Sequence, residues 1–137
     1  MPEITGILET GLYVEDVGRS SDFYQSVFGF EVMVQDDRFC AMNVAGKQVL
    51  LLFRHGATLD PIAVPGGLIP PHDGRGQLHF AFSIPASELP AWQERLAAHN
   101  IAIESTVGWP RGGISIYFRD PDSHLVELAT PGIWPIY

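Results

Sequence analysis

The chain spells one order of elements twice, and that doubling limits its possible folds more than any other feature. Side chains alternate in strand fashion from Ile7 to Val14, Asp16 stands where a helix cap is needed, and Phe23, Tyr24 and Val27 supply an apolar helical stripe ended by Gly29. Short β-like runs follow at Phe30 to Val34, Arg38 to Val44 and Lys47 to Phe53, the last two joined by Ala45-Gly46. The order then returns. Leu78 to Ile84 reads as a strand, and Ser87 as the cap of a helix reaching about His99 with Leu89, Trp92 and Leu96 on one side. Ile101 to Val107 is extended. Ile114 to Arg119 and Leu125 to Ala129 are strands joined by the turn Asp120-Pro121-Asp122. The pattern predicts an α+β fold of two βαβββ modules forming a curved mixed sheet, in one domain over 1–137. Module one covers about 5–56 and module two about 77–133.

Between them the periodicity breaks, from Arg54 to Gly76, with Pro61, Pro65, Pro70 and Pro71 inside it. A loop over 57–76 is long for a compact domain and points to a functional lid or a linker. Its Ile62, Val64, Leu68 and Ile69 favour a segment packed on something.

Superposing the two halves by pattern lays Leu8-Glu9-Thr10-Gly11-Leu12 over Leu78-His79-Phe80-Ala81-Phe82, and Leu50-Leu51-Leu52 over Val126-Glu127-Leu128. Alternation then sorts the faces. Leu78, Phe80, Phe82 and Ile84 form a large apolar face that wants helices on it, and His79, Ala81 and Ser83 form a small one that suits a cavity wall. By the same split Glu9 and Tyr13, Ser115 and Tyr117, and Glu127 fall on the inner side. Carboxylates in apolar strands are costly without compensation, and two of them beside an imidazole repel each other. A divalent cation relieves both penalties. One imidazole and two carboxylates suit Mn, Fe, Ni, Co or Zn, with open positions left for substrate. The bland alternatives are a solvated Glu9, a His79 hydrogen-bonded in the core, and a Glu127 salt-bridged to Arg119 or Arg111.

Charge and composition narrow the partners. Eight basic against sixteen acidic residues give a net charge of −8, which argues against a nucleic-acid footprint. No Lys/Arg run offers a membrane-surface patch, and no stretch approaches the roughly 18 apolar residues of a spanning helix. Cys40 is the lone cysteine, so no intrachain disulfide forms, in keeping with a reducing compartment. Nothing in Met1-Pro2-Glu3-Ile4 resembles a signal peptide. The expectation is a cytoplasmic protein that binds a small-molecule substrate and neither nucleic acid nor membrane.

The opening Leu12-Tyr13-Val14-Glu15-Asp16, Asp22-Phe23-Tyr24 and Phe28-Gly29-Phe30, with the closing Phe118-Arg119-Asp120-Pro121-Asp122-Ser123-His124-Leu125-Val126-Glu127-Leu128, resemble the vicinal-oxygen-chelate superfamily. That group includes glyoxalase, fosfomycin-resistance, bleomycin-resistance and extradiol dioxygenase proteins. Ser123 stands where glycine is usual. The resemblance implies glyoxalase-like half-barrels and metal ligands at Glu9, His79 and Glu127, with Glu9 where histidine is commoner. The fourth ligand of glyoxalase I falls on Leu51, which cannot ligate. A catalytic dioxygenase histidine has no match among Gly108 to Gly113, and bleomycin-resistance members lack the carboxylates.

The resemblance therefore favours a metal-dependent lyase, isomerase or transferase of the glyoxalase/fosfomycin-resistance type. The alternatives are an extradiol-type dioxygenase and a metal-free antibiotic-binding protein. In this reading Glu9 or Glu127 serves as base and Tyr117 as proton donor, while Arg111, Tyr13, Ser115 and Trp109 are candidate substrate contacts. Trp134 is a further candidate aromatic wall. His72 is expected to be solvent-exposed beside Asp73, and His55, His99 and His124 have no supporting constellation. Half-barrels of this kind complete each other across a two-fold, which implies a homodimer.

Overall fold

The computed structural model describes residues 1–137, which divide into two compact units, Met1–Arg75 and Gly76–Tyr137. In the first unit, strand β1 (Glu9–Val14) leads into helix α1 (Val17–Phe28), followed by β2 (Glu31–Gln35), β3 (Phe39–Val44) and β4 (Gln48–Arg54). Asp16 caps α1 by accepting the Arg19 amide at 2.9 Å, and Gly29 closes it at φ 71°, a conformation favoured by glycine's missing Cβ. Val17, Tyr24 and Val27 of α1 are buried, as are Leu12, Val14, Cys40, Met42, Leu50 and Leu52 of the sheet. Burying each such leucine is worth about 2 kcal/mol, and this apolar layer holds the helix to one face. The opposite face, with Glu9, Gly11 and Tyr13, is left for other work.

The second unit repeats the plan with β7 (His79–Ser83), α2 (Leu89–Ala98), β8 (Ser105–Gly108), β9 (Ile114–Arg119) and β10 (Leu125–Ala129). The sheets run β1-β4-β3-β2 and β7-β10-β9-β8, the same permutation, with β1 parallel to β4 and β7 parallel to β10. Even single hydrogen bonds correspond: the Val49 amide donates to the Leu8 carbonyl at 2.9 Å, and the Leu125 amide to the Leu78 carbonyl at 2.8 Å. The α+β reading with two similar modules is thus met in detail.

Three local expectations change. Ser87 does not cap α2; it lies inside a 3-10 turn, Ala86–Glu88, that precedes the helix. Pro90 tolerates this entry because a first-turn proline has no amide to lose there. The intervening loop is not structureless, since β5 (Ile62–Val64) and β6 (Gly67–Ile69) pair as an antiparallel hairpin. Val64 pairs with Gly67, so Pro65-Gly66 form the two-residue turn, proline presetting φ and glycine tolerating the tight bend. The strand expected from Ile7 begins instead at Glu9, with Ile7 and Leu8 largely exposed. No helix is long and apolar enough to cross a membrane.

Candidate functional site

In the second unit the two-residue repeat separates chemistry from packing. Ile116, Phe118, Val126 and Leu128 are fully buried on one face. Ser115, Tyr117, His79 and Glu127 share the other, because Tyr117 lies directly across from Glu127 and His79 beside Leu125. His79 Nδ1 is 2.9 Å from the Leu125 carbonyl oxygen, which can only accept, so Nδ1 carries the hydrogen and Nε2 is turned outward. That Nε2 lies 3.3 Å from Glu127 Oε2.

The far side of the carboxylate is fully engaged. Oε1 accepts from Ser115 Oγ at 2.5 Å and from the Tyr117 hydroxyl at 3.1 Å, and Ser115 Oγ in turn accepts from Trp109 Nε1 at 2.9 Å. Glu127 is 8% exposed and Ser115 fully buried, whereas half of the His79 side chain is open. The result is a carboxylate clamped from behind with one oxygen and one imidazole nitrogen presented together at the surface.

Two acceptors facing each other at that separation repel unless a positive charge lies at their edge. A proton on Nε2 makes an ordinary ion pair, and a divalent cation satisfies the same two atoms. Adjacent nitrogen and oxygen ligands about 2.0–2.2 Å from such an ion stand roughly 3.0–3.4 Å apart, so the pair fits a metal without rearrangement. The Nδ1–H bond to a backbone carbonyl and the donors behind Glu127 are the supports that orient metal ligands. Nowhere in the chain do three or more His, Cys, Asp or Glu side chains gather closely enough to hold a metal.

Glu9 lies exposed on β1 of the first unit. Register confirms the correspondence read from the pattern: Glu9 pairs with Val49 as His79 pairs with Leu125, and Leu51 stands opposite Gly11 as Glu127 stands opposite Ala81. Leu51 puts an apolar side chain where the second unit has its carboxylate.

The remaining candidates divide. Tyr117 has its ionisation pushed up, chiefly by burial and also by the charge of Glu127, so it keeps its proton at neutral pH. Arg111 is exposed and engages no partner. Arg119 is not the partner of Glu127: it forks onto Glu104 at 2.7 and 3.2 Å. Ser115 and Trp109, expected at the substrate, spend their polar atoms supporting Glu127. Tyr13 is half-buried, with its hydroxyl 2.7 Å from His72 Nδ1, and Trp134 is largely exposed.

His72 is therefore not the free surface histidine expected from its neighbourhood. Sequence reasoning also passed over His124, which is buried and accepts the Leu78 amide at 2.9 Å, fastening β7 one residue before His79. His55 reaches the Gly74 carbonyl at 2.9 Å and Asp73 at 3.4 Å. No spacing rule links these pairs, which depend on where the long loop returns.

Comparison with known proteins shows what the chain as a whole is similar to. The chain is 33% identical over 127 residues to a catechol-2,3-dioxygenase of Bacillus subtilis, covering 92% of the chain and 41% of that protein. It is 29% identical over 135 residues to a metallothiol transferase FosB of Bacillus licheniformis, covering 96% and 79%. The chain thus spans about two-fifths of the length of the first of these relatives. Among solved structures, a lactoylglutathione lyase from Agrobacterium tumefaciens matches with a TM-score of 0.88 and 32% identity over 98% of this chain and 99% of that one. All three relatives are enzymes by name. A family model described as the Glyoxalase/Bleomycin resistance protein/Dioxygenase superfamily matches residues 6–128, and the chain belongs to that superfamily.

Proposed function

We propose that the protein is a metal-dependent enzyme of the glyoxalase/fosfomycin-resistance type, acting on a small substrate that offers vicinal oxygens. The observation that carries this reading is the convergence of His79 Nε2 and Glu127 Oε2 at 3.3 Å, each held from behind by backbone or side-chain hydrogen bonds. Glu9 is assigned as the third protein ligand because it occupies the register position of His79 in its own unit. A divalent cation at such a site supplies Lewis acidity to substrate oxygens.

The chain's own groups do the rest. Tyr117 holds a proton beside Glu127 and can donate it to an oxygen arriving at the open edge. Ser115 and Trp109 fix the rotamer of Glu127, and exposed Arg111 can meet an anionic group of the substrate. The protein is proposed to act as a homodimer in the cytoplasm.

Metal analysis after loading with Mn, Fe, Ni, Co and Zn in turn, followed by a screen of hemithioacetals, epoxides and catechols, tests the proposal. Stoichiometric uptake that is lost in His79→Ala and Glu127→Gln supports it, and a wild-type protein that takes up none of the five metals overturns it. The identity to a catechol-2,3-dioxygenase favours a second reading, an extradiol-type dioxygenase. Ring cleavage with oxygen consumption in the catechol arm of that screen would decide for it.

A further inference from the structure

His79 is the first residue of β7, and Leu125, whose carbonyl holds its ring, is the first residue of β10. Strand ends fray before strand centres. The side chain that keeps Nε2 at 3.3 Å from Glu127 Oε2 is thus anchored at the least secure point of the ladder.

His124 closes that end. It is 1% exposed, and its Nδ1 lies 2.9 Å from the Leu78 amide nitrogen. An amide can only donate, so Nδ1 is the acceptor and carries no hydrogen. The Leu125 amide donates to the Leu78 carbonyl at 2.8 Å, and His79 Nδ1–H donates to the Leu125 carbonyl at 2.9 Å. Three bonds, each with its direction fixed by a backbone group, therefore join Leu78-His79 to His124-Leu125. The two imidazoles are opposite tautomers, one accepting at Nδ1 and the other donating there.

The turn behind His124 holds it in place. Asp120 is buried, and its Oδ1 accepts the amides of Asp122 at 3.0 Å and His124 at 2.9 Å. The Asp120 amide donates to the His124 carbonyl at 3.1 Å. These bonds fix the backbone from which the ring projects.

The first unit is a control within the same chain. Its register is the same, and the Val49 amide meets the Leu8 carbonyl as the Leu125 amide meets that of Leu78. Gln48 stands there in the place of His124. It is exposed, its side chain bonds nothing, and the Leu8 amide has no acceptor in the chain. The ladder therefore forms without a clasp. The clasp occurs where the strands carry the imidazole and the carboxylate.

We propose that His124 is a positioning residue for His79: by accepting the Leu78 amide it closes the open end of β7 and β10 and holds the imidazole with Nε2 toward Glu127 Oε2. The consequence for a bound cation rests on the metal reading; the orientation of the ring does not.

Chelator-treated, full-length protein labelled with nitrogen-15 provides the test in three forms. His124→Asn puts Oδ1 where Nδ1 stood, and His124→Phe keeps a ring and removes the acceptor. In wild type and His124→Asn the His79 ring should hold its hydrogen on Nδ1. In His124→Phe it should interchange between tautomers, and exchange of the Leu78 amide hydrogen should speed up roughly tenfold more than that of Ile116 and Leu128. A merely structural role would speed all three alike and leave the His79 tautomer as it was. Zinc titration reads the consequence: His124→Phe should weaken zinc roughly tenfold and His124→Asn by less than about twofold. Wild type supplies a check that no misfolded variant can spoil. Corrected for intrinsic rates, its Leu78 amide should exchange at least roughly tenfold more slowly than its Leu8 amide. Equal rates at Leu78 and Leu8, an unchanged His79 tautomer in His124→Phe, or zinc weakened alike by both variants would each overturn the proposal. If the wild type takes up no zinc, it is the metal reading that suffers, and the ring and exchange results alone uphold or overturn this one.

Discussion

Ser115→Ala isolates the support behind Glu127. The serine is fully buried, and its hydroxyl both donates to Glu127 Oε1 at 2.5 Å and accepts from Trp109 Nε1 at 2.9 Å. A hydrogen bond to a charged partner is worth about 1.5–3 kcal/mol, and Glu127 at 8% exposure has little access to replacement water. Trp109 is only half-buried, so its orphaned N–H adds no more than about 1 kcal/mol. The loss of folding stability should therefore be about 2–3 kcal/mol. With a urea slope of about 1–3 kcal/mol/M, this lowers the midpoint by roughly 0.7–3 M, measured at one protein concentration so that any self-association is held constant.

Tyr117→Phe removes the longer bond, 3.1 Å, and should cost about 1 kcal/mol. The double variant should lose more than the sum, because Oε1 then has no donor at all. A Ser115→Ala stability within about 0.5 kcal/mol of wild type, or a larger effect from Tyr117→Phe, would refute the reasoning that Ser115 is the main clamp.

Three further outcomes are expected. Cys40 is fully buried and its thiol is pushed up to about 11 from 9.0, so it should resist alkylation in the folded protein at neutral pH and react in urea. Because the folded value is the higher one, its contribution is complete below pH 9 and fades by pH 11, a loss of about 2–3 kcal/mol that Cys40→Ala should abolish in alkaline denaturation curves. Gly74→Ala should lift the strap off Tyr13, costing about 1–3 kcal/mol and moving the His72 and Tyr13 ring signals in NMR; unchanged spectra would contradict the packing. Mixing Glu9→Ala with His79→Ala subunits reads where Glu9 serves: one metal per mixed dimer is the outcome if a site joins two chains, none if it lies within one, and light scattering of the wild type checks the dimer.

Much of the fold was legible from residue patterns because it rests on local rules. Asp16 and Gly29 mark the ends of α1 through backbone geometry that few other residues satisfy, and the alternation in Ile114–Arg119 assigns each side chain to a face. The rules failed where two signals competed. Ser87 is a good capping residue, yet Pro85 and Pro90 bracket it and the chain enters α2 through a 3-10 turn instead. In the long loop, prolines masked the short apolar runs that pair as β5 and β6.

The same division holds for the site. That His79 and Glu127 share a face follows from strand period once the apolar set of each strand is turned to the helices, and the likeness of Glu9 to His79 follows from the doubled order of elements. The oxygen of Glu127 that is clamped and the one left open, the bond that turns His79 Nε2 outward, the capture of Arg119 by Glu104, and the return of His72 onto Tyr13 could not be read that way. Strand period is a property of a few adjacent residues and is written into any short window of chain. Those contacts join side chains as many as 59 positions apart. Their partners are chosen by strand order, register and the path of a loop, which exist only once the chain has folded.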